Sequence, residues 1–243
     1  MSTSNPVRPG CGHPHQCDAS TRDAVMARSP LTRELAPGQR AELDAHLTAL
    51  SWAEDVPLML GGETPGGVFL IMSGRVRVSR DTAEGKEITV DIAAPGDVIG
   101  PLSTVPAATA DSAWAMETTC ALFLPAESLA EVVGRFPVVA LALLRLQEQR
   151  LTQAREREIA RSTRSVEQRV ADVLVALAHR MGHQGADGSV LLQVRLRRED
   201  IAGLASTTVE SASRAMARMK REGLIDSGRE WVSLLDVPSL AAL

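Results

Sequence analysis

The sequence predicts an α+β chain: a β-roll, then one long helix, then a small winged helical unit at the C-terminus. Three observations carry this. Residues 51–125 hold short Val-, Ile- and Leu-rich runs separated by glycines, the pattern of an all-β barrel or roll. After Pro137 the pattern turns helical and stays so for about 26 residues. Residues 196–234 hold two short amphipathic helices joined by small residues and followed by a hairpin.

Composition bounds the function classes. The 243 residues, 44% hydrophobic and 23% charged, describe an ordinary globular chain of one to two domains. No run reaches the ~18 apolar residues of a membrane span, so no membrane role is expected. The polar N-terminus lacks the apolar core of a secretory leader, and a cytoplasmic location is expected. Three cysteines do not make a disulfide framework. The net charge of -4 is unevenly spread. Residues 1–144 hold 10 Lys+Arg against 17 Asp+Glu, about -7, and residues 145–243 hold 16 against 13, about +3. An acidic first part and a basic, arginine-rich second part suit a sensor joined to a nucleic-acid-binding domain.

Taken in order, residues 1–30 read as an irregular arm with four prolines and the cluster Cys11-Gly-His13-Pro-His15-Gln-Cys17. From Leu31 to about Leu50 the spacing of Leu35, Leu43, Leu47 and Leu50 predicts a helix, with Pro37 in its first turn. Strands are predicted at 68–72, 74–78, 88–92 and 120–124, with turns at Gly61-Gly62, Gly66-Gly67, Gly74, Gly85, Gly96 and Gly100. In the long helix, Val139, Leu143 and Leu146 form a stripe flanked by Leu144 and Leu151; beyond Gln149 it is highly charged. A helix apolar at one end and charged at the other is expected to bridge two domains and pack on a copy of itself, with Ala154 continuing the seam. A second amphipathic helix runs from Val166 to Met181, followed by a glycine-containing loop and a short strand at 190–194. The domain organisation is therefore an arm (1–30), a roll (31–136), a dimerisation helix (137–163) and a winged helix-turn-helix (164–243).

The C-terminal unit carries the most specific pattern. Glu199 to Ala205 and Thr208 to Arg221 read as two helices joined by Ala205, Ser206 and Thr207, and Asp226-Ser-Gly-Arg229 turns a hairpin behind them. Glu210, Ser213 and Arg214 fall at i, i+3 and i+4, on one face near the start of the second helix. In a helix-turn-helix that end enters the major groove of double-stranded DNA. There arginine grips guanine bidentately and glutamate accepts from the cytosine amino group. Thr207, Thr208, Arg197, Arg198 and Arg218 are candidate phosphate contacts, which position without specifying. Other roles suit the same residues: Thr207 and Glu210 have the spacing of a capping box, and Arg214 and Glu210 that of a solvated ion pair.

The chain resembles the Crp/Fnr transcription regulators from about Leu31 to Leu235. The matching motifs are Val68-Phe-Leu-Ile-Met-Ser-Gly-Arg-Val76, Ala94-Pro-Gly-Asp-Val-Ile-Gly100, the long helix, Asp200-Ile-Ala-Gly-Leu-Ala205 and Thr208-Val-Glu-Ser-Ala-Ser-Arg214. The resemblance implies a cyclic-nucleotide-binding-like β-roll and a homodimer on a palindromic site. RNA polymerase is the further partner it implies. Glu210-x-x-Ser213-Arg214 resembles the reading motif of the FNR-type branch, whose half-site is similar to TTGAT. Where many members have a turn glycine this chain has Ala205.

The resemblance also bears on what is sensed. Members that bind cyclic nucleotides place an arginine where this chain has Asp111, and a carboxylate repels a phosphodiester. The FNR-type branch holds an iron-sulfur cluster on N-terminal cysteines and one cysteine of the roll. Cys11, Cys17 and Cys120 are similar in layout, although Leu122 takes the roll ligand position and Cys120 lies two residues earlier, on the same strand face. A cluster normally takes four ligands, so His13, His15, Asp18 or an exogenous group would have to complete the set. The same residues also suit a single metal ion, a haem on His13 or His15, or a thiol switch joining Cys11 to Cys17. For Cys120 a role as a small core residue stands beside these. In each case a change at the arm would act on the roll and shift packing at Leu144, Leu151 and Ala154. An enzyme is not expected. No histidine lies between His46 and His179, and neither a nucleophile motif nor a phosphate-cradling loop is present.

Overall fold

The computed structural model describes residues 17–105 and 107–243. Cys11, His13 and His15, with the first half of the arm, lie outside the described residues. The chain forms two compact units, one drawn from Met1–Lys86 and Asp91–Leu151, the other from Glu87–Val90 and Thr152–Leu243.

The first unit is a β-roll of two four-stranded sheets. One sheet runs in the order β1 (Thr48–Trp52), β8 (Thr119–Pro125), β3 (Gly67–Ser73), β6 (Val98–Ile99). The other runs β2 (Pro57–Met59), β7 (Asp111–Ala115), β4 (Val76–Asp81), β5 (Glu87–Ala93). The alternation of β3 and β8 explains the layering. Antiparallel pairing sets Val68 opposite Leu124 and Leu70 opposite Leu122. These join Met72 and Cys120 on one face, in an apolar cluster with residues of four helices. The helices are α1 (Ala19–Met26), α2 (Pro37–Asp44), α3 (Ala126–Arg135) and α4 (Pro137–Thr163). The alternate residues turn the other way, where Phe69 meets Trp52 edge-on at 5.7 Å and Phe123 at 5.0 Å between ring centroids.

The predicted helix from Leu31 to about Leu50 is shorter than expected. Only Pro37–Asp44 is helical, with Pro37 in the first turn, and 48–52 is strand β1. Leu31 and Leu35 are buried ahead of the helix, so their spacing reflects burial of turns. Within the arm, Ala19–Met26 is a helix capped by Asp18, whose carboxylate accepts from the Thr21 amide at 2.7 Å. The Ser20 hydroxyl, which donates to the same carboxylate, and then that capping bond hold the Asp18 carboxyl below its ordinary pKa.

The long helix α4 has the predicted length and start, but its apolar face divides differently. Val139 is fully buried in the first unit's own cluster, with Leu143 and Leu146 packed against it. Val139 is thus taken up within its own unit, while Leu143 and Leu146 stay partly exposed. A separate set, Leu141, Leu144, Leu151 and Ile159, is 51–66% exposed, and Ala154 is exposed beside it.

The second unit contains α5 (Val166–Met181), α6 (Arg198–Leu204), α7 (Val209–Arg221), α8 (Val237–Ala241) and a sheet in the order β11 (Ile225–Ser227), β12 (Val232–Leu234), β10 (Val190–Leu192), β9 (His183–Gln184). A capping box starts α5: Ser165 Oγ accepts from the Gln168 amide, and Gln168 Oε1 from the Ser165 amide. Val170, Leu174 and Leu177 supply its buried face.

Gly74 joins β3 to β4 at φ +78°, and a Cβ there would lie 2.5 Å from Thr119 Oγ1 and 2.6 Å from the Thr118 carbonyl. Gly74→Ala is therefore expected to destabilise the protein by more than about 1 kcal/mol, measured by urea denaturation, from left-handed strain and the clash together.

Candidate nucleic-acid interface

Helix α7 is sharply two-sided. Ala212, Ala215, Met216 and Met219 are buried. Burial of that stripe turns the opposite face outward at helical spacing. Glu210 and Arg214 are exposed and Ser213 is half-buried beside them, so the three predicted reading residues lie together at the first turns of the helix. Arg214 NH2 and Glu210 Oε1 are 3.4 Å apart, with side chains 71% and 78% exposed. A solvated pair of this kind is worth only a few tenths of a kcal/mol. It orients the two groups without preventing either from turning to a base.

The N-terminus of α7 is capped by Thr208, whose Oγ1 accepts from the Ser211 amide at 3.2 Å and donates to Ser211 Oγ at 3.0 Å. The Thr207–Glu210 box of the sequence reading does not form. Thr207 instead belongs to the turn, its amide donating to the Ala202 carbonyl at 2.9 Å. The turn has no glycine. Ala205 takes an ordinary φ of -83° and is buried, and the left-handed conformation falls on Ser206 at φ +49°. Arg169 of α5 supports this turn by donating from Nε to the Ala205 carbonyl at 2.9 Å and from NH1 to the Arg164 carbonyl at 2.8 Å. Sequence spacing gave no indication of that role, because it depends on how α5 crosses α6.

The predicted phosphate contacts are held in different ways. Arg197 is exposed at the start of α6. Arg198 leans across to α7, its NH1 2.8 Å from the Met216 sulfur. Arg218 is engaged by Glu222 at 2.9 Å and Glu167 at 3.2 Å, which raise its pKa, Glu222 most. A phosphate contact there would require a carboxylate to be exchanged for it. In the wing, Lys220 holds Asp226 at 2.6 Å and donates to the Ser227 carbonyl. Its hydrogen bond keeps the Asp226 carboxyl below the ordinary range. The turn beyond carries Arg229, exposed, and Trp231, 36% exposed; composition alone did not single these out.

The roll has its own polar pattern. On β7, Asp111 faces Arg80 across the strand pair and bonds it at 2.7 Å. Ser112 Oγ accepts from the Gly61 amide at 2.9 Å. Asp111, which the resemblance sets at a cyclic phosphate, thus has its own arginine, and the neighbouring hydroxyl is bound to the backbone. Arg150 of α4 donates to the Val98 carbonyl at 2.6 Å. Cys120 is 5% exposed on the helix-covered face of β8, and Cys17, at the base of α1, packs against the same apolar cluster. Among the described residues no group of three or more His, Cys, Asp or Glu side chains is placed to hold a metal ion.

Comparison with known proteins bears on both units. Residues 50–136 match the cyclic nucleotide-binding domain family and residues 168–243 the Crp-like helix-turn-helix domain family. The chain is similar to the CRP-like cAMP-activated global transcriptional regulator of Mycobacterium tuberculosis. The two are 26% identical over 220 residues, covering 90% of this chain and 98% of that protein. It is also similar to the transcriptional activator protein anr of Pseudomonas aeruginosa, at 28% identity over 75% of this chain and 74% of the other. The fold is shared with FixK2 of Bradyrhizobium japonicum, with a TM-score of 0.71 at 24% identity, covering 81% of this chain and 96% of that one.

The two adjacent threonines separate cleanly in a stability measurement. Thr208→Ala is expected to lower the unfolding free energy by about 1 kcal/mol through loss of the α7 cap. Thr207→Ala is expected to stay within about 0.5 kcal/mol of the parent in the same urea titration.

Proposed function

The chain belongs to the Crp/Fnr family of transcription regulators and carries a DNA-binding helix-turn-helix, and from that premise we propose that two copies, joined along α4, read a palindromic duplex with TTGAT-like half-sites. The carrying observation is the outward face Glu210–Ser213–Arg214 at the start of α7. Arg214 grips a guanine edge, Glu210 accepts from a cytosine amino group, and Ser213 packs between them. The phosphate contacts come from Arg197 and Arg198, with Thr207 and Thr208 at the turn and Arg218 after it releases a carboxylate. The exposed Leu141, Leu144 and Leu151, with Ile159 further along, supply an apolar strip for a second copy of α4. The relatives that the chain resembles are regulators, and this chain is a regulator rather than an enzyme. RNA polymerase is its further partner in this reading, and the cytoplasm its location. No described helix is long and apolar enough to cross a membrane.

The controlling signal in this reading is redox, received by the thiols of the arm and the roll. What supports it is the common apolar cluster that holds Cys120 and meets Cys17. The relatives named for anaerobic regulation, such as the anaerobic regulatory protein of Pasteurella multocida, agree with it. The donor set does not fit a four-thiolate iron-sulfur cluster within one chain, because the chain has three cysteines and such a cluster takes four ligands. An anionic cyclic nucleotide is likewise disfavoured by Asp111.

Arg214→Ala is expected to weaken binding to a TTGAT-type palindrome by about tenfold or more, leaving affinity for random duplex unchanged, in fluorescence anisotropy at fixed salt. Equal affinity of the variant and the parent for the palindrome would overturn the reading. Diamide treatment is expected to change the palindrome affinity of the parent chain and leave that of Cys17→Ser unchanged. An identical response of the two chains would remove Cys17 from the signal.

A further inference from the structure

The first four residues of strand β5, Glu87–Val90, group with the DNA-binding unit, apart from the rest of their strand. Two hydrogen bonds at adjacent residues show how. Thr89 is 5% exposed, and its Oγ1 donates to Asp200 Oδ1 at 2.8 Å. Asp200, 1% exposed, sits in the first turn of α6, where its other oxygen accepts from the Arg197 amide at 2.8 Å. Next to Thr89, the Val90 carbonyl accepts from Arg157 NH1 of α4 at 2.9 Å.

The approach is close as well as polar. A Cβ on Gly203 of α6 would lie 2.6 Å from the Thr89 carbonyl oxygen and 2.8 Å from its amide nitrogen. Glycine at 203 therefore lets the helix backbone rest directly on the strand. A buried carboxylate needs its hydrogen-bond partners, and removing one leaves an acceptor away from water. Asp200 has one partner within its own helix end and one on Thr89, so the strand contact is part of how α6 is held. Helix α6 in turn carries α7: Ile201 and Leu204 are buried in the same unit as Met216 and Met219, and Arg198 crosses to the Met216 sulfur.

We propose that Glu87–Val90 is a strut between the dimerisation helix and the reading helix, with Thr89 a positioning residue for DNA recognition. Arg157 holds one end on α4 and Asp200 holds the other on α6. The exposed Glu210–Ser213–Arg214 face is untouched by these bonds, so the strut fixes where the face is held without covering it. The inference rests on the reading that two chains pair along α4. Given that pairing, the strut sets the separation of the two reading faces, and hence the half-site spacing the protein accepts.

The test uses the full chain and three variants. Thr89→Val keeps the side-chain shape and removes the hydroxyl, Thr89→Ser keeps the hydroxyl, and Arg157→Ala releases the other end from an exposed helix position. Each is measured by anisotropy on a palindrome, on palindromes with one base pair added or removed between half-sites, and on a duplex with one half-site. Hydrogen exchange of α6 is followed without DNA. Thr89→Val and Arg157→Ala are expected to lose about tenfold on the palindrome, with half-site affinity unchanged and spacing preference flattened. Exchange in α6 is expected to quicken in Thr89→Val, and Thr89→Ser is expected to match the parent. Parental palindrome binding by Thr89→Val, an equal loss on palindrome and half-site, or unaltered exchange in α6 would each overturn the strut. A parent chain that does not prefer the palindrome to the half-site overturns paired reading itself, and α6 exchange then decides the strut separately.

Discussion

Everything downstream in this molecule depends on which side of α7 is buried. Ala212, Ala215, Met216 and Met219 leave water together, and full burial of the two methionines alone contributes roughly 1.5–3 kcal/mol each. The rotation so fixed carries Glu210, Ser213 and Arg214 outward. The polar interactions around them are weak by comparison: a solvated ion pair at 3.4 Å and a single-hydroxyl cap at Thr208. A stiff apolar back and a loosely engaged polar front suit a surface whose ion pair can be exchanged for an outside partner.

The same division of labour appears along α4, with a different result. Its first turns bury Val139 and Ala142 in the roll's cluster, anchoring the helix in the first unit. Its leucines at 141, 144 and 151 stay exposed. Periodicity in the sequence showed an apolar helix and its length, but it did not show that Val139 is buried within its own unit. A hydrophobic stripe records that something covers it, and does not say whether that cover comes from the same chain. Two adjacent stripes on one helix make the ambiguity unavoidable from spacing alone.

Other residues divide along similar lines. The strands at 68–72, 88–92 and 120–124, the helix at 166–181 and the two helices of the reading unit were legible because alternation and 3.6-residue periodicity act locally. Helix α1 was not, because it buries only Val25 and Met26 and so has no stripe to read. Spacing pointed to Thr207 as the cap, since Glu210 lies three places on; the turn instead makes Thr208 the cap by placing the left-handed residue at Ser206. The contacts that sequence could not supply join distant segments: Arg169 on the Ala205 carbonyl, Thr89 on Asp200, and Arg80 on Asp111. The last gives the Asp111 carboxylate an arginine partner on the neighbouring strand.

The central claim is that two α7 helices act as a pair on one duplex, and binding stoichiometry tests it most directly. Sedimentation of the chain with a labelled palindromic duplex, at protein concentrations spanning saturation, counts chains per DNA. The account predicts two chains on the palindrome and a sharp loss of the complex when one half-site is scrambled. A saturated complex of one chain per palindrome, or indifference to the scrambled half-site, would contradict it.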